Sequence, residues 1–178
     1  MKVLHFFSYL LFVSLFLLAC GNPQPTGEVI IQNSGEKEKE EKAYMQGNRR
    51  IVELEQEEID LFLERYQWNV IKTGTGLNIE VLKEGKGAFP IIGDTVVLTY
   101  ITSLLDGKTL YNSDAEGNKI FVLEKSQEIP ALHEAVKLLK KNGKARMVIP
   151  SHLAYGSNGD GNKIREYQPL VMYIERIK

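Results

Sequence analysis

The chain has 178 residues, with 22 Lys and Arg against 23 Asp and Glu, a formal net charge of −1 and a single cysteine. That length suits one domain with additions. The balance of charge argues against a nucleic-acid binder held by phosphate contacts, and one cysteine excludes an internal disulfide.

Met1 to Ala19 combines a basic Lys2 with the apolar run Leu10 to Ala19, and Cys20 follows. A basic start, a short apolar core and a small residue before the cleavage point make an export signal. The run is short against the roughly 20 residues that span a bilayer, although an uncleaved anchor helix with an incidental cysteine is a second reading. Leu17-Leu18-Ala19-Cys20 resembles the lipobox of bacterial lipoproteins. That resemblance implies a signal peptide over 1–19, diacylglycerol on the Cys20 sulfur, and a place in the bacterial cell envelope, lipid-anchored to a membrane and facing the periplasm or the exterior. Residues 20–43 are poor in apolar side chains and carry the charged run Glu36 to Lys42. Such a composition predicts a flexible tether with a reach of roughly 25–30 Å.

Residues 44–67 predict a helix. Ile51, Leu54, Ile59, Phe62, Leu63 and Tyr66 recur near the 3.6-residue period, with Glu53, Glu55, Glu57, Glu58 and Glu64 between them. The apolar stripe predicts packing on the same chain, and pairing with a second copy is the alternative. Residues 68–178 then read as a folded domain. Trp68–Lys72 and Leu77–Lys83 predict strands, and Thr95–Leu104, long and β-branched, predicts a central one. Asp106-Gly107 marks a hairpin that returns through Lys108–Ser113, and Ile120–Leu123 is a short strand. Pro130–Leu139 carries helix signals: proline in the first turn, Leu132, Ala135, Val136 and Leu139 on one face, lysines at the end, then Asn142-Gly143. Lys144–Ile149 alternates as a strand, with Ala145, Met147 and Ile149 facing inward and Val148 outward, until Pro150 stops the ladder. A polar loop follows Tyr155, and Pro169–Ile177 is the last strand. Strands with one short covering helix predict an α+β fold: an antiparallel sheet around that helix, preceded by the N-terminal helix.

Familiar catalytic chemistries find little footing. His5 lies in the signal, and His133 and His152 lack metal-ligand spacing. Ser151 and His152 are neighbours in sequence only, which does not make a triad. No metal and no cofactor is expected.

The ordered series GDTVVLTY, LLDGKTLYNS, FVL, the helix, GKARMVIPSHLAYG and PLVMYIERI resembles the FKBP-type peptidyl-prolyl isomerases, from about Gly76 to Lys178. The resemblance implies a curved sheet of five or six strands around the short helix, proline-containing polypeptide clients, and isomerisation of Xaa-Pro bonds. Its catalytic positions fall on Tyr100, on Ile129, whose backbone N–H receives a substrate carbonyl, and on Tyr155, whose hydroxyl bonds another. Its substrate-binding wall falls on Leu110, Tyr111, Phe121, Leu132, Ile164 and Met172. Three positions depart from the family pattern. Tyr111 stands where a buried aspartate is usual, Leu132 replaces the tryptophan of the pocket floor, and Lys119 falls where another aromatic is common. Within the family the chain looks like the gliding-motility-associated FKBP-type lipoproteins. The sequence leaves two functions open: a membrane-tethered isomerase assisting exported proteins, and a prolyl-peptide binding or assembly factor without turnover.

Overall fold

The structure, a computed structural model, describes residues 28–178, with side chains from 35 onward. The expected signal peptide and Cys20 lie outside those residues. The chain divides into two units, one ending at Gln46 and the other spanning Gly47–Lys178.

Helix α1 runs Glu28–Tyr66 and so enters both units. Over 28–43 it stands in place of the expected tether. The charged run Glu36 to Lys42 consists of Glu and Lys, both good helix formers, and Lys42 bridges Glu38 one turn earlier at 2.7 Å. Low hydrophobicity and high charge coexist here with high helix propensity, and the tether expectation weighs only the first two.

In the larger unit the elements follow as β1 (Ile71–Lys72), β2 (Asn78–Lys83), β3 (Thr95–Ser103), β4 (Thr109–Asn112), α2 (Ser113–Glu116), β5 (Lys119–Val122), α3 (Pro130–Val136), β6 (Lys144–Ile149) and β7 (Leu170–Arg176). They make one seven-stranded antiparallel sheet in the order β1-β2-β6-β7-β3-β4, with β5 also on β3. The α+β class is as expected. The strand count exceeds five or six because β1 has only two residues and because one edge of β3 is served in two pieces. β4 pairs Ile101–Ser103, and β5 pairs Thr95–Leu98. The turn of helix α2 separates them, capped by the Asn112 side chain accepting from Ala115 N–H at 2.9 Å. Tyr100 lies opposite this interruption, so its N–H reaches the Ser113 hydroxyl at 3.3 Å instead of a strand carbonyl.

The main core lies between the sheet and α3. Val96, Leu98 and Tyr100 from β3, Ala145, Met147 and Ile149 from β6, and Met172 and Ile174 from β7 meet Leu132, Ala135, Val136 and Leu139. Arg176 is buried too, and its guanidinium donates to the Leu139 carbonyl at 2.9 Å just past α3. Burial lowers its pKa from the usual arginine value, and the carbonyl gives the charge a partner.

One expectation about β6 is corrected. Val148 is fully buried, on the sheet face opposite Met147. There Ile59 of α1 packs on Val148 and Val171, with Phe62, Leu63, Trp68 and Leu105 around them. The Trp68 ring meets Phe62 and Tyr173 edge-on at 5.2 and 5.8 Å, and the Arg146 guanidinium lies 4.2 Å above it. Both faces of the sheet are therefore covered, and alternation along one strand reports only the face with the regular pattern. Leu54 and Tyr66 of the expected stripe are instead exposed, as is Leu61.

Candidate functional site

Nine positions singled out in the sequence share the main core. Tyr100, Leu110, Phe121, Ile129, Leu132, Ile164 and Met172 belong to its buried cluster, and Tyr111 and Tyr155 pack against it half-buried. Leu132 is fully covered.

Each wall is held by local chemistry. Phe121 is braced edge-on by His133 at 5.1 Å. His133 accepts from the Glu124 N–H at 3.0 Å through Nδ1 and lies 3.1 Å from the Ser126 carbonyl through Nε2. Both ring nitrogens are thereby committed to the loop before α3. His152 is likewise structural, with Nε2 2.9 Å from the Thr75 carbonyl. Among the described residues no cluster of His, Cys, Asp or Glu could hold a metal.

The Tyr155 wall is tied to α1. Ser151 opens a short 3-10 turn, Ser151–Leu153, and its carbonyl accepts from Ala154 N–H at 2.9 Å and Gly156 N–H at 2.8 Å, on either side of Tyr155. The Ser151 N–H and hydroxyl both donate to the buried Glu55 carboxylate, the hydroxyl at 2.8 Å. No sequence motif points to Glu55. The available signal is its place one turn before Ile59, on the apolar stripe and away from the solvated acidic face.

The Tyr111 wall carries a second pairing absent from the sequence reading. The Tyr111 hydroxyl donates to the Asp160 carboxylate. Asp160 also accepts from the N–H groups of Asn162 and Ile164, at 2.9 and 2.8 Å. These bonds close the loop on itself and set Ile164 into the core. Gly159 is needed there: its φ is +64°, and a Cβ would sit 2.3 Å from the Ile164 carbonyl oxygen. Lys163 completes the clasp, with Nζ 3.0 Å from the Leu110 carbonyl and 4.4 Å from the Tyr111 ring centre. Asp160 of the facing loop thus sets a carboxylate on the Tyr111 hydroxyl. For Asp160, burial favours the neutral acid, but the hydrogen bonds from Tyr111, Ile164 and Asn162 outweigh it and hold the pKa below the usual value.

The tyrosines face acidic neighbours. Burial, then the charges of Glu128 and Asp160, push the Tyr155 pKa up to about 12. Burial, then Glu116 and Glu128, raise that of Tyr100, and burial followed by the bond to Asp160 raises that of Tyr111. All three hydroxyls keep their protons at neutral pH. Among the described residues the Tyr155 hydroxyl makes no hydrogen bond to another protein group, so its donor is free for a ligand. The arrangement sets the free Tyr155 hydroxyl beside a cluster of apolar side chains.

Comparison with known proteins agrees with this geometry. A family model described as FKBP-type peptidyl-prolyl cis-trans isomerase matches residues 86–176. A probable FKBP-type isomerase FkpA from Neisseria meningitidis is 38% identical over 106 residues, covering 60% of this chain and 39% of that protein. The outer membrane protein MIP of Legionella longbeachae is 31% identical over 108 residues, covering 61% of this chain and 46% of that one. This chain therefore spans less than half the length of these relatives. The crystal structure of FkpA from Escherichia coli superposes with a TM-score of 0.63 at 28% identity, covering 96% of this chain and 80% of that one.

Proposed function

The chain belongs to the FKBP-type peptidyl-prolyl cis-trans isomerase family, and on that premise we propose that residues 68–178 catalyse isomerisation of Xaa-Pro bonds in exported proteins. The observation that carries the proposal is the unspent Tyr155 hydroxyl beside the apolar cluster that includes Tyr100, Phe121, Ile129 and Met172, a cluster we read as the proline-binding bowl.

The physics of the reaction fits such a site. Cis and trans Xaa-Pro bonds differ little in energy, and the difficulty is a barrier of about 18–20 kcal/mol from amide resonance. At the transition state the amide is twisted and its nitrogen has lost conjugation. An apolar bowl binds the proline ring and disfavours the planar, more polar amide relative to the twisted one. The Tyr155 hydroxyl and the Ile129 N–H fix the flanking carbonyls, so that rotation occurs about one bond while the rest is held. No bond breaks and no proton moves, so the absence of a charged group at position 111 weakens the site without removing its chemistry.

The cellular setting is part of the proposal. The lipobox resemblance at Cys20 supports a membrane-tethered domain in the bacterial envelope, and likeness to a relative named as an outer membrane protein is consistent with it. The likeness to gliding-motility lipoproteins supports clients among surface motility proteins. The second reading is a prolyl-peptide binder without turnover, and it is supported by Tyr111 and Leu132, which stand where the family pattern has aspartate and tryptophan.

A protease-coupled assay with a Xaa-Pro tetrapeptide tests the enzyme reading. The expected result is a rate above the uncatalysed background that falls in Tyr155→Phe. No acceleration, together with peptide binding measured by calorimetry, would replace it with the binding reading.

A further inference from the structure

The residue before the Ile129 donor is unusual in what it does. The Glu128 side chain folds back so that Oε1 accepts from the Ile129 N–H at 3.0 Å, while Oε2 pairs with Lys119 Nζ at 3.1 Å. Both side chains are largely covered, at 16% and 21% exposure. The Lys119 ammonium lies 5.2 Å from the centre of the Tyr100 ring, so the pair sits beside the bowl. Among the described residues the Ile129 N–H has no other partner, since Ile129 precedes α3 in extended conformation, with ψ 139°, and belongs to no strand. Glu128 charge is also among the causes that raise the pKa of both Tyr100 and Tyr155, which places the carboxylate within electrostatic reach of both hydroxyls.

We propose that Glu128 is a specificity-determining residue, whose carboxylate occupies the Ile129 N–H as a built-in competitor that a peptide carbonyl must displace. The proposal rests on the reading that this N–H receives a substrate carbonyl. The exchange is unequal. An N–H bond to a carboxylate is stronger than one to a neutral carbonyl, so the hydrogen bond alone favours the closed arrangement. Displacement must be driven by apolar area that the peptide buries in the bowl. Peptides that seat a proline ring fully against Tyr100, Phe121 and Met172 open the site, and those that fit poorly leave Glu128 in place. The displaced carboxylate keeps Lys119 as its partner, so it is not left as an isolated charge. Because the N–H is freed before the ground-state complex forms, the cost falls on binding and not on the twisting step.

Three versions of the full chain decide the matter: wild type, Glu128→Ala and Glu128→Gln, checked for equal thermal melting. The probe is a Xaa-Pro tetrapeptide, followed by calorimetry for Kd and by the coupled assay for KM and kcat. Glu128→Ala is expected to lower Kd and KM about three- to tenfold, with kcat within about twofold. Glu128→Gln should fall between, because its amide oxygen still accepts the N–H without a full charge. In 15N spectra the Ile129 amide of the free protein should shift on Glu128→Ala, and in wild type it should shift on adding peptide. Unchanged or weaker binding by Glu128→Ala overturns the inference, as does failure of all three to bind. Glu128→Gln equal to Glu128→Ala also overturns it, by showing that charge alone matters. Binding that tightens as expected without turnover in any version would instead refute the isomerase reading and leave the role of Glu128 standing.

Discussion

Replacing Glu55 with alanine tests the idea that α1 holds the Tyr155 loop in place. Glu55 and Ser151 are both buried, at 7% and 4% exposure. The carboxylate takes two hydrogen bonds from Ser151, one from the backbone N–H and one from the hydroxyl. Bonds to a charged group contribute about 1.5–3 kcal/mol each, and a buried N–H left without a partner costs about 1–3 kcal/mol. Against this, alanine relieves the cost of keeping a carboxylate out of water, which is several kcal/mol before its partners offset it. The net expectation for Glu55→Ala is a loss of about 2–3 kcal/mol, a large share of the ~5–15 kcal/mol that holds a typical domain. Ser151→Ala removes only the hydroxyl and should cost about 1 kcal/mol. The double variant should lose less than the two together, since both changes break the same contact. Urea titration read by Trp68 fluorescence is the assay. Trp68 is the only tryptophan and lies 5.2 Å from Phe62 of α1, so its emission reports the seating of that helix. The same variants should show reduced isomerase turnover, because the Ser151 carbonyl anchors the N–H groups of Ala154 and Gly156 on both sides of Tyr155. A midpoint for Glu55→Ala that implies less than about 0.5 kcal/mol of lost stability would show that the pair is incidental, as many surface ion contacts are.

The other expectations concern the bowl and the sheet. Ile129→Pro suits the local φ of −59° and removes the N–H donor, so it should abolish nearly all turnover, whereas Ile129→Ala should retain part of it; comparable rates for the two would show that the donor is idle. Tyr111→Asp would set a second carboxylate against Asp160, so it should destabilise the loop and lower activity, while Tyr111→Phe should cost about 1 kcal/mol; a gain of stability in Tyr111→Asp by urea titration would contradict the pairing. Because the folded pKa of Asp160 lies below the unfolded value of 3.8, its contribution is fully present above that pH and is lost as pH falls through the folded value. The stability difference between wild type and Asp160→Asn should therefore shrink on acidification from pH 5, and a constant difference in acid titrations would refute it. Met147→Asp and Val148→Asp should both prevent folding, since each side chain is fully buried and an unpaired carboxylate there costs several kcal/mol; soluble, cooperatively melting Val148→Asp would show that α1 does not cover that face.

What could be read from the residues alone, and what could not, divides by the range of the interactions involved. The strands β3, β6 and β7 and the helix α3 are legible because hydrophobic period and the punctuation by Pro130, Gly143 and Pro150 are local signals. The bowl is legible through a family pattern, since its composition equals that of any core. The structure brings those residues together without testing their roles. The pairings that hold the bowl are not legible, because each joins residues far apart in the chain. The place of Glu55 on the apolar stripe marks it for burial but names no partner until Ser151 is placed beneath it, and Asp160 reads as a loop residue until Tyr111 faces it. Val148 follows the same logic: its outward register is correct for the sheet, but a second layer, α1, covers that face. A departure such as Tyr111 therefore cannot be weighed at its own position. Tyr111 on β4 carries no carboxylate of its own, and the loop from Gly159 to Ile164 brings one to its hydroxyl. The acceptor for Tyr111 therefore sits on the same loop that sets Ile164 into the core. In this chain the polar support of the site and the folding of the Asp160 loop are consequently one interaction, and a change in either is a change in both.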